Sequence, residues 1–289
     1  MYNWGRMRRV GVHTSIAGGL SRSLERAHVL GCTTVQLFSH SPRGWAVKAI
    51  PNEERERFAS LRRDLDISPV YIHASYLINM ASPEAALRKK SIAMLREEMD
   101  RADAIGADYV VLHTGSASGD DAAVSRRRAI GALNEVARSG RWAAGLLLEN
   151  TAGERGDISS RVADLAEIFH GVGGTLVAGV CIDTCHAFSA GYDIRRDDGI
   201  RAVAEEIDHA IGLERVRLIH LNDAKGDLRS GADRHEHIGL GRIGTAGLRR
   251  FVLAAPFRRV PLILETPKER ETDDARNLRA VRKMLFGEQ

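Results

Sequence analysis

Long apolar runs are missing from this chain of 289 residues: none approaches the roughly 20 residues that cross a bilayer. The first residues, Met1 to Arg9, are basic but have no apolar stretch behind them, so no secretory leader is expected. Cysteine is scarce. Three thiols cannot build a disulfide framework, and the odd number points to a reducing, cytoplasmic compartment. No Pro-, Gly- or Ser-rich linker interrupts the chain, which argues for one domain. Lysine is rare as well, with 6 Lys against 36 Arg. Arginine forks grip phosphate bidentately, but genome base composition explains the excess equally well. The net charge of +4 permits a nucleic-acid partner without demanding one. What is present is ordinary for a globular protein: 44% hydrophobic and 28% charged residues exclude wholesale disorder.

Eight short apolar runs recur along the chain. They are Val10–His13, Thr33–Ser39, Pro69–Ser75, Tyr109–Gly115, Gly145–Thr151, Gly179–Thr184, Val216–Asp223 and Val260–Thr266. They are continuous rather than alternating, which suits parallel strands buried on both faces. Helical patterns lie between them, at Asn52–Leu65, Ala122–Ala137, Ile158–Phe169, Gly199–Ile211, Thr245–Leu253 and Thr272–Leu285. A further helix is expected to open on Ser82-Pro83-Glu84, with Ser82 as N-cap, and to end at Gly106. Strand and helix in alternation predict an α/β fold, a single (β/α)8 TIM barrel, with a doubly wound sheet as the alternative. The barrel domain is expected over residues 9–289, preceded by a loose basic extension over residues 1–8. The long connection from Asp223 to Gly244 is unusual inside a compact domain, and such loops are commonly functional.

The ends of the runs carry the chemistry. The third run ends with His73, the fourth with His113, the fifth with Glu149, the sixth with Asp183, the seventh with His220 and the eighth with Glu265. In a parallel barrel these ends converge on one face, the carboxy-terminal face where barrel active sites lie. His186 follows in the loop just beyond Asp183, and Asp233 and His235 alternate within the long connection. One buried histidine is ordinarily a hydrogen-bonded core residue, and one aspartate after a strand is ordinarily a helix cap. Six successive strand ends of this kind are hard to explain by packing, because buried ionisable groups are costly unless paired or metal-bound. The mixture of imidazole and carboxylate suits zinc, manganese or ferrous iron, and it exceeds what one ion uses. Cys181 and Cys185 have no second thiol pair to complete a structural zinc site and are expected to be free and buried.

On these residues the sequence resembles the endonuclease IV family of apurinic/apyrimidinic endonucleases. The resemblance runs from about Arg9 to Leu285. Its most specific stretches are LENTAG at 148–153, GVCIDTCHAFSAGYD at 179–193, HLNDAK at 220–225, DRH at 233–235 and LILET at 262–266. It implies three zinc ions, with manganese or iron as possible substitutes. His73, His113 and Glu149 would hold the first; Glu149, Asp183, His220 and Glu265 the second; His186, Asp233 and His235 the third. It also implies a catalytic part for Glu149 and Glu265, and hydrolysis of the phosphodiester 5′ to an abasic site in duplex DNA. The products would be a 3′-hydroxyl and a 5′ deoxyribose phosphate, as in base excision repair. Two loops look like the family's DNA-probing segments. Arg43 stands in one, Ser41 to Trp45; Tyr76 and Leu77 form the other, as an aromatic and an apolar wedge. Ser41, Pro42 and Gly44 stand where the family commonly carries polar amides, and Ala74 where it often has an acid. A monomer without membrane contact is expected, associated with the nucleoid if the source is bacterial. Two other readings compete: a divalent-metal sugar isomerase or epimerase on the same barrel, and a damaged-DNA binding module with structural metals.

Overall fold

The structure is a computed structural model that describes residues 8–287. Eight parallel strands close into a barrel: β1 (Val10–Thr14), β2 (Val35–Leu37), β3 (Val70–His73), β4 (Tyr109–His113), β5 (Gly145–Glu149), β6 (Val177–Asp183), β7 (Val216–His220) and, last in the chain, β10 (Leu262–Leu264). Strands β1 to β7 each pair with their sequence neighbours, and β10 closes the ring between β7 and β1. Between β7 and β10 lies a small antiparallel pair, β8 (Asp223–Ala224) and β9 (His235–Glu236), inside the long connection. The barrel prevails over the doubly wound sheet.

The helices pack outside. They are α1 (Leu20–Val29), α2 (Asn52–Asp64), α3 (Ala85–Ile105), α4 (Ala122–Ser139), α5 (Val162–Gly171), α6 (Thr184–Ala190), α7 (Asp197–Ala210), α8 (Gly244–Leu253) and α9 (Asp273–Phe286). None among the described residues is long and apolar enough to cross a membrane. Their boundaries correct the expectations in places. Helix α3 begins at Ala85 rather than directly after Ser82, because the Ser82 hydroxyl accepts from Glu84 N and forms a tight turn just before the helix. It does end at Gly106, in the left-handed conformation that glycine tolerates best. Helix α5 starts at Val162 rather than Ile158.

Arg8 corrects the expected N-terminal extension. It is buried, and its guanidinium donates to the carbonyls of Val260, Val252 and Phe257 at 2.6–2.7 Å. Arg8 is therefore part of the packed structure. The remainder of that extension, residues 1–7, lies outside the described residues.

The barrel interior explains where the polar strand ends go. Successive side chains of a strand alternate between faces, so residues two apart share one face. Tyr71, Val111, Leu147, Cys181, Leu218 and Ile263 form a buried cluster of their own inside the ring, separate from the larger core under the helices. Two residues onward on the same strands, or just past their ends, stand His73, His113, Glu149, Asp183, His220 and Glu265. The apolar layer is the floor and the polar layer the mouth. Strand register sets neighbours within the mouth: His113 lies beside Glu149, and Asp183 beside His220.

Candidate metal centre

All nine residues singled out in the sequence meet at the carboxy-terminal mouth of the barrel. Glu149 is at the centre and fully buried. Its Oε2 faces His113 Nε2 at 3.0 Å and His73 Nε2 at 3.4 Å, while its Oε1 faces His220 Nδ1 at 2.9 Å and His186 Nδ1 at 3.4 Å. His220 Nδ1 also stands 3.1 Å from Glu265 Oε2 and 4.0 Å from Asp183 Oδ2. On the outer side, Asp233 Oδ1 lies 3.1 Å from His186 Nε2 and 3.4 Å from His235 Nε2, and His235 Nε2 is 3.5 Å from Asp183 Oδ2. Among the described residues four overlapping sets of donors are close enough to share an ion: His73, His113 and Glu149; Glu149, Asp183, His220 and Glu265; Asp183, His186 and His235, with Asp233 against the two imidazoles; and Glu149, Cys181 and His220, whose thiol is buried in the apolar floor.

The donor set fits divalent cations on two observations. Glu149 Oε2, His186 Nε2 and His235 Nε2 are buried and have no hydrogen-bond partner of sound geometry. Orphaned buried polar atoms carry a substantial free-energy cost, and three of them aimed at carboxylates and imidazoles call for a ligand. The second observation is spacing. Metal–nitrogen and metal–oxygen bonds of ~2.0–2.1 Å at tetrahedral angles separate ligand atoms by about 3.3 Å. The 3.0–3.5 Å contacts between His113 or His73 and Glu149, and between His235 and Asp183, bracket that value.

The electrostatics ask for positive charge. Burial pushes the Glu149 carboxyl up, but His220 and His113 outweigh it and hold it well below the usual carboxylate range. Glu265 is depressed in the same way, burial being overcome by His220, with His13 and His73 nearby adding to it. Burial pushes His186 down, yet Asp183 and Asp233 carry it well above the ordinary imidazole value. The buried carboxylates are thus held low by the positive charge that neighbouring imidazoles can carry. Cations would take over that part.

The outer atoms of the rings are fixed. Nδ1 of His73 contacts the Ala74 carbonyl at 2.8 Å, Nδ1 of His186 that of Asn150 at 2.9 Å, and Nδ1 of His235 that of Glu265 at 3.0 Å. Such contacts set the tautomer and leave Nε2 available to a ligand. His186 is not in a loop, as its place beyond the strand suggests; it rides on α6, whose N-cap is Asp183. Asp183 Oδ1 accepts from His186 N at 2.8 Å, and its Oδ2 accepts from Asn222 Nδ2 at 2.6 Å. This aspartate is thus a helix cap whose Oδ2 still faces His220 and His235. Asp233 and His235 are held in place by the loop from Asp223 to Gly244, which is wound around the buried Asp223 carboxylate. That carboxylate accepts from the backbone N–H groups of Ala224, Gly239, Gly241, Ile243 and Gly244 at 2.9–3.2 Å.

The rim carries the two other predicted segments. Arg43 is exposed, Tyr76 is 67% exposed and Leu77 half-buried. The Tyr76 ring packs edge-on against Phe38, with centroids 5.2 Å apart, and leans over His73 at 5.9 Å. Burial and the nearby carboxylates Glu265 and Asp233 push its hydroxyl up to about 12, so it stays a neutral donor. The two loops are tied together. Ser75 Oγ donates to the Pro42 carbonyl at 2.8 Å, and the buried Glu98 of α3 accepts from Ser75 N and Ser39 Oγ and contacts His40 Nε2.

Sequence reasoning missed several supporting residues. His13 ends the first run and meets the same criterion as the other strand ends. Gln36 is a polar residue inside the second run, and Asn150 and Asn222 sit within LENTAG and HLNDAK. Glu98 gave no signal, since a glutamate in a helix is ordinarily solvated. The cysteines are free and buried, as expected; burial pushes the Cys181 and Cys185 thiols up to about 12.

Comparison with known proteins accords with this geometry. Residues 24–285 match the family model described as a xylose isomerase-like TIM barrel. The chain is 45% identical over 276 residues to a probable endonuclease 4 of Methanoculleus marisnigri, covering 95% of this chain and 98% of that one. It is 41% identical over 260 residues to a probable endonuclease 4 of Halothermothrix orenii, covering 90% and 94%. The crystal structure of endonuclease IV from Thermus thermophilus superposes with a TM-score of 0.84 at 40% identity, over 96% of this chain and 98% of that one. A D-tagatose 3-epimerase-like protein also superposes, with a TM-score of 0.71 over 95% and 97% of the chains, but at 18% identity it shares the fold alone. With coverage this complete at 40–45% identity, the chain belongs to the endonuclease IV family.

Proposed function

We propose that this protein is a zinc-dependent DNA repair endonuclease. It hydrolyses the phosphodiester 5′ to an abasic site in duplex DNA and leaves a 3′-hydroxyl and a 5′ deoxyribose phosphate, the incision step of base excision repair. The observation that carries the reading is the convergence of five imidazoles and four carboxylates on one barrel mouth, with orphaned buried donors, beneath a rim bearing Arg43, Tyr76 and Leu77. Three zinc ions are the proposed complement, with manganese or iron able to replace zinc.

Bound divalent ions would lower the pKa of a water and offset phosphate charge. The residues supply the rest. Glu149, with one oxygen toward each of two donor sets, ties those sets into a single unit. Glu265 is partly exposed to the mouth and held by Gln36, and it orients the attacking water in line with the departing O3′. Asp233 and His235 lie on the loop side of the mouth, where they would face the leaving oxygen. An abasic nucleotide lacks stacking, so its extrusion costs less than that of an intact one. Tyr76 and Leu77 would fill the gap it leaves, and Arg43 would hold the distorted backbone. We place the protein in the cytoplasm, at the nucleoid if bacterial, acting as a monomer.

The sugar isomerase or epimerase reading is weaker: two ions suffice for that chemistry, and it leaves the third donor group and the exposed aromatic rim without a use. The test is incubation with a duplex carrying one tetrahydrofuran abasic analogue, followed by end mapping. That analogue cannot undergo β-elimination, so a nick must be hydrolytic. A 5′-side cut with a 3′-hydroxyl is expected. An intact duplex, with protein confirmed to hold its metal, would reject the nuclease reading in favour of a binding module or a sugar substrate.

A further inference from the structure

Two barrel strands, β1 and β2, give none of the nine donors. Each nevertheless sends a polar side chain into the same layer, His13 from β1 and Gln36 from β2. Gln36 is fully buried at the barrel wall. A carboxylate can only accept, so the 2.5 Å contact with Glu265 Oε1 identifies the Gln36 amide nitrogen as the donor there. The amide oxygen then faces His220 Nε2 at 2.8 Å, so that ring nitrogen must carry a proton. The second amide N–H points at His13 Nδ1, 3.0 Å away. Every hydrogen-bonding direction of this one amide but a second oxygen lone pair is used.

His220 differs from three of the other histidines. His73, His186 and His235 turn Nδ1 to backbone carbonyls and Nε2 to the centre. His220 is reversed: Nδ1 faces Glu149, Glu265 and Asp183, and Nε2 faces away. Among the described residues no backbone carbonyl holds its outer nitrogen; the Gln36 side chain does. The same amide pins Glu265, a member of the same donor group.

We propose that Gln36 is a positioning residue of the metal centre: it holds the proton on His220 Nε2, so that Nδ1 is the ligand atom, and it draws Glu265 toward the same ion. This rests on the metal-dependent reading above. Partners of this kind govern ligand orientation, and their loss lowers metal affinity by about 10–100-fold. His13 completes the arrangement by accepting the remaining amide hydrogen, which keeps the amide from flipping.

The experiment uses Gln36→Met, which preserves length and volume and removes all three contacts. Wild type and variant are loaded with cobalt(II) and titrated with a chelator while bound metal is counted and the visible spectrum recorded. The variant is expected to release an ion at a chelator concentration about 10–100-fold lower, with an altered cobalt spectrum and unchanged far-ultraviolet dichroism. Superimposable release curves and spectra would overturn the proposal. Should the variant fail to fold, the wild type answers the question. In zinc-loaded, histidine-15N-labelled protein, the ring signals lost in His220→Asn are expected to report a protonated Nε2 and a metal-bound Nδ1. A metal-bound Nε2 would overturn the proposal. Incision of the abasic duplex is followed separately: wild type that keeps its metal but does not cut refutes the nuclease reading, while the release curves and spectra still decide the part played by Gln36.

Discussion

Replacing Asp223 with asparagine removes one of the two oxygens around which the longest loop is wound. Oδ1 accepts from Ala224, Ile243 and Gly244, and Oδ2 from Gly239, Gly241 and Gly244. The substitution conserves shape but turns an NH2 group toward the Gly239 and Gly241 N–H groups. Two charge-assisted hydrogen bonds disappear, and two donors are left facing donors. Hydrogen bonds to charged groups contribute about 1.5–3 kcal/mol each, and the Gly239 and Gly241 amides are only half-buried and can recruit water in part. A loss of about 3 kcal/mol is therefore expected, against a total stability of about 5–15 kcal/mol. At about 2 °C per kcal/mol for a domain of this size, the metal-free protein should melt about 6 °C lower. The assay is thermal unfolding in chelator, followed by dichroism, with urea unfolding as a second measure. Because the loop carries Asp233 and His235, the variant should also hold less metal than wild type when both are dialysed at equal free zinc. A shift below about 1 °C would refute the idea that the carboxylate, rather than the β8–β9 pairing, organises the loop.

Other substitutions separate the parts of the site. Glu265→Gln is expected to abolish incision while leaving binding of an abasic duplex largely intact, as read by gel shift; near-normal turnover would remove Glu265 from its assigned part. Arg43→Ala should reduce the preference for abasic over intact duplex in competition binding and leave metal content at the wild-type level, because Arg43 is exposed on the rim and contacts none of the nine donors. Glu149→Ala should lower bound metal by more than one ion per chain in elemental analysis, since its two oxygens face different donor groups; a loss confined to one ion would show that the groups fill independently. Dialysis against a strong chelator should silence incision, and added zinc should restore it; activity that survives verified metal removal would exclude the proposed chemistry.

Much of this architecture is legible in the sequence because parallel strands buried on both faces read as unbroken apolar runs. A polar residue closing such a run has nowhere to go but the mouth of the barrel. That logic reaches His73, His113, Glu149, Asp183, His220 and Glu265 without knowledge of the fold's contacts. It falls short where a side chain's meaning depends on what faces it. Gln36 sits within a run rather than at its end, and only the closure of the ring brings it to His220 and Glu265. Glu98 lies in a helix, where glutamate is normally solvated, yet three groups from two loops converge on it. The helix under His186 is hidden in the sequence because seven residues hold too few turns for a periodic signal. Arg8 reads as part of a basic tail; its three carbonyl partners come from the opposite end of the chain.

That last contact bears on how the protein is made. Strand β1 pairs with β10, and Arg8 reaches residues 252–260, so the ring closes across nearly the full length of the polypeptide. Synthesis runs from the amino terminus, and long-range pairings form only after the intervening chain is available. A ribosome must release the last strand before β1 finds its second neighbour and before Glu265 can join the histidines already synthesised. The emerging half-barrel therefore exposes two unpaired edges and an incomplete ligand set. Hydrolytic power would arrive only with the final segment, so the chain stays inert until its ring has closed.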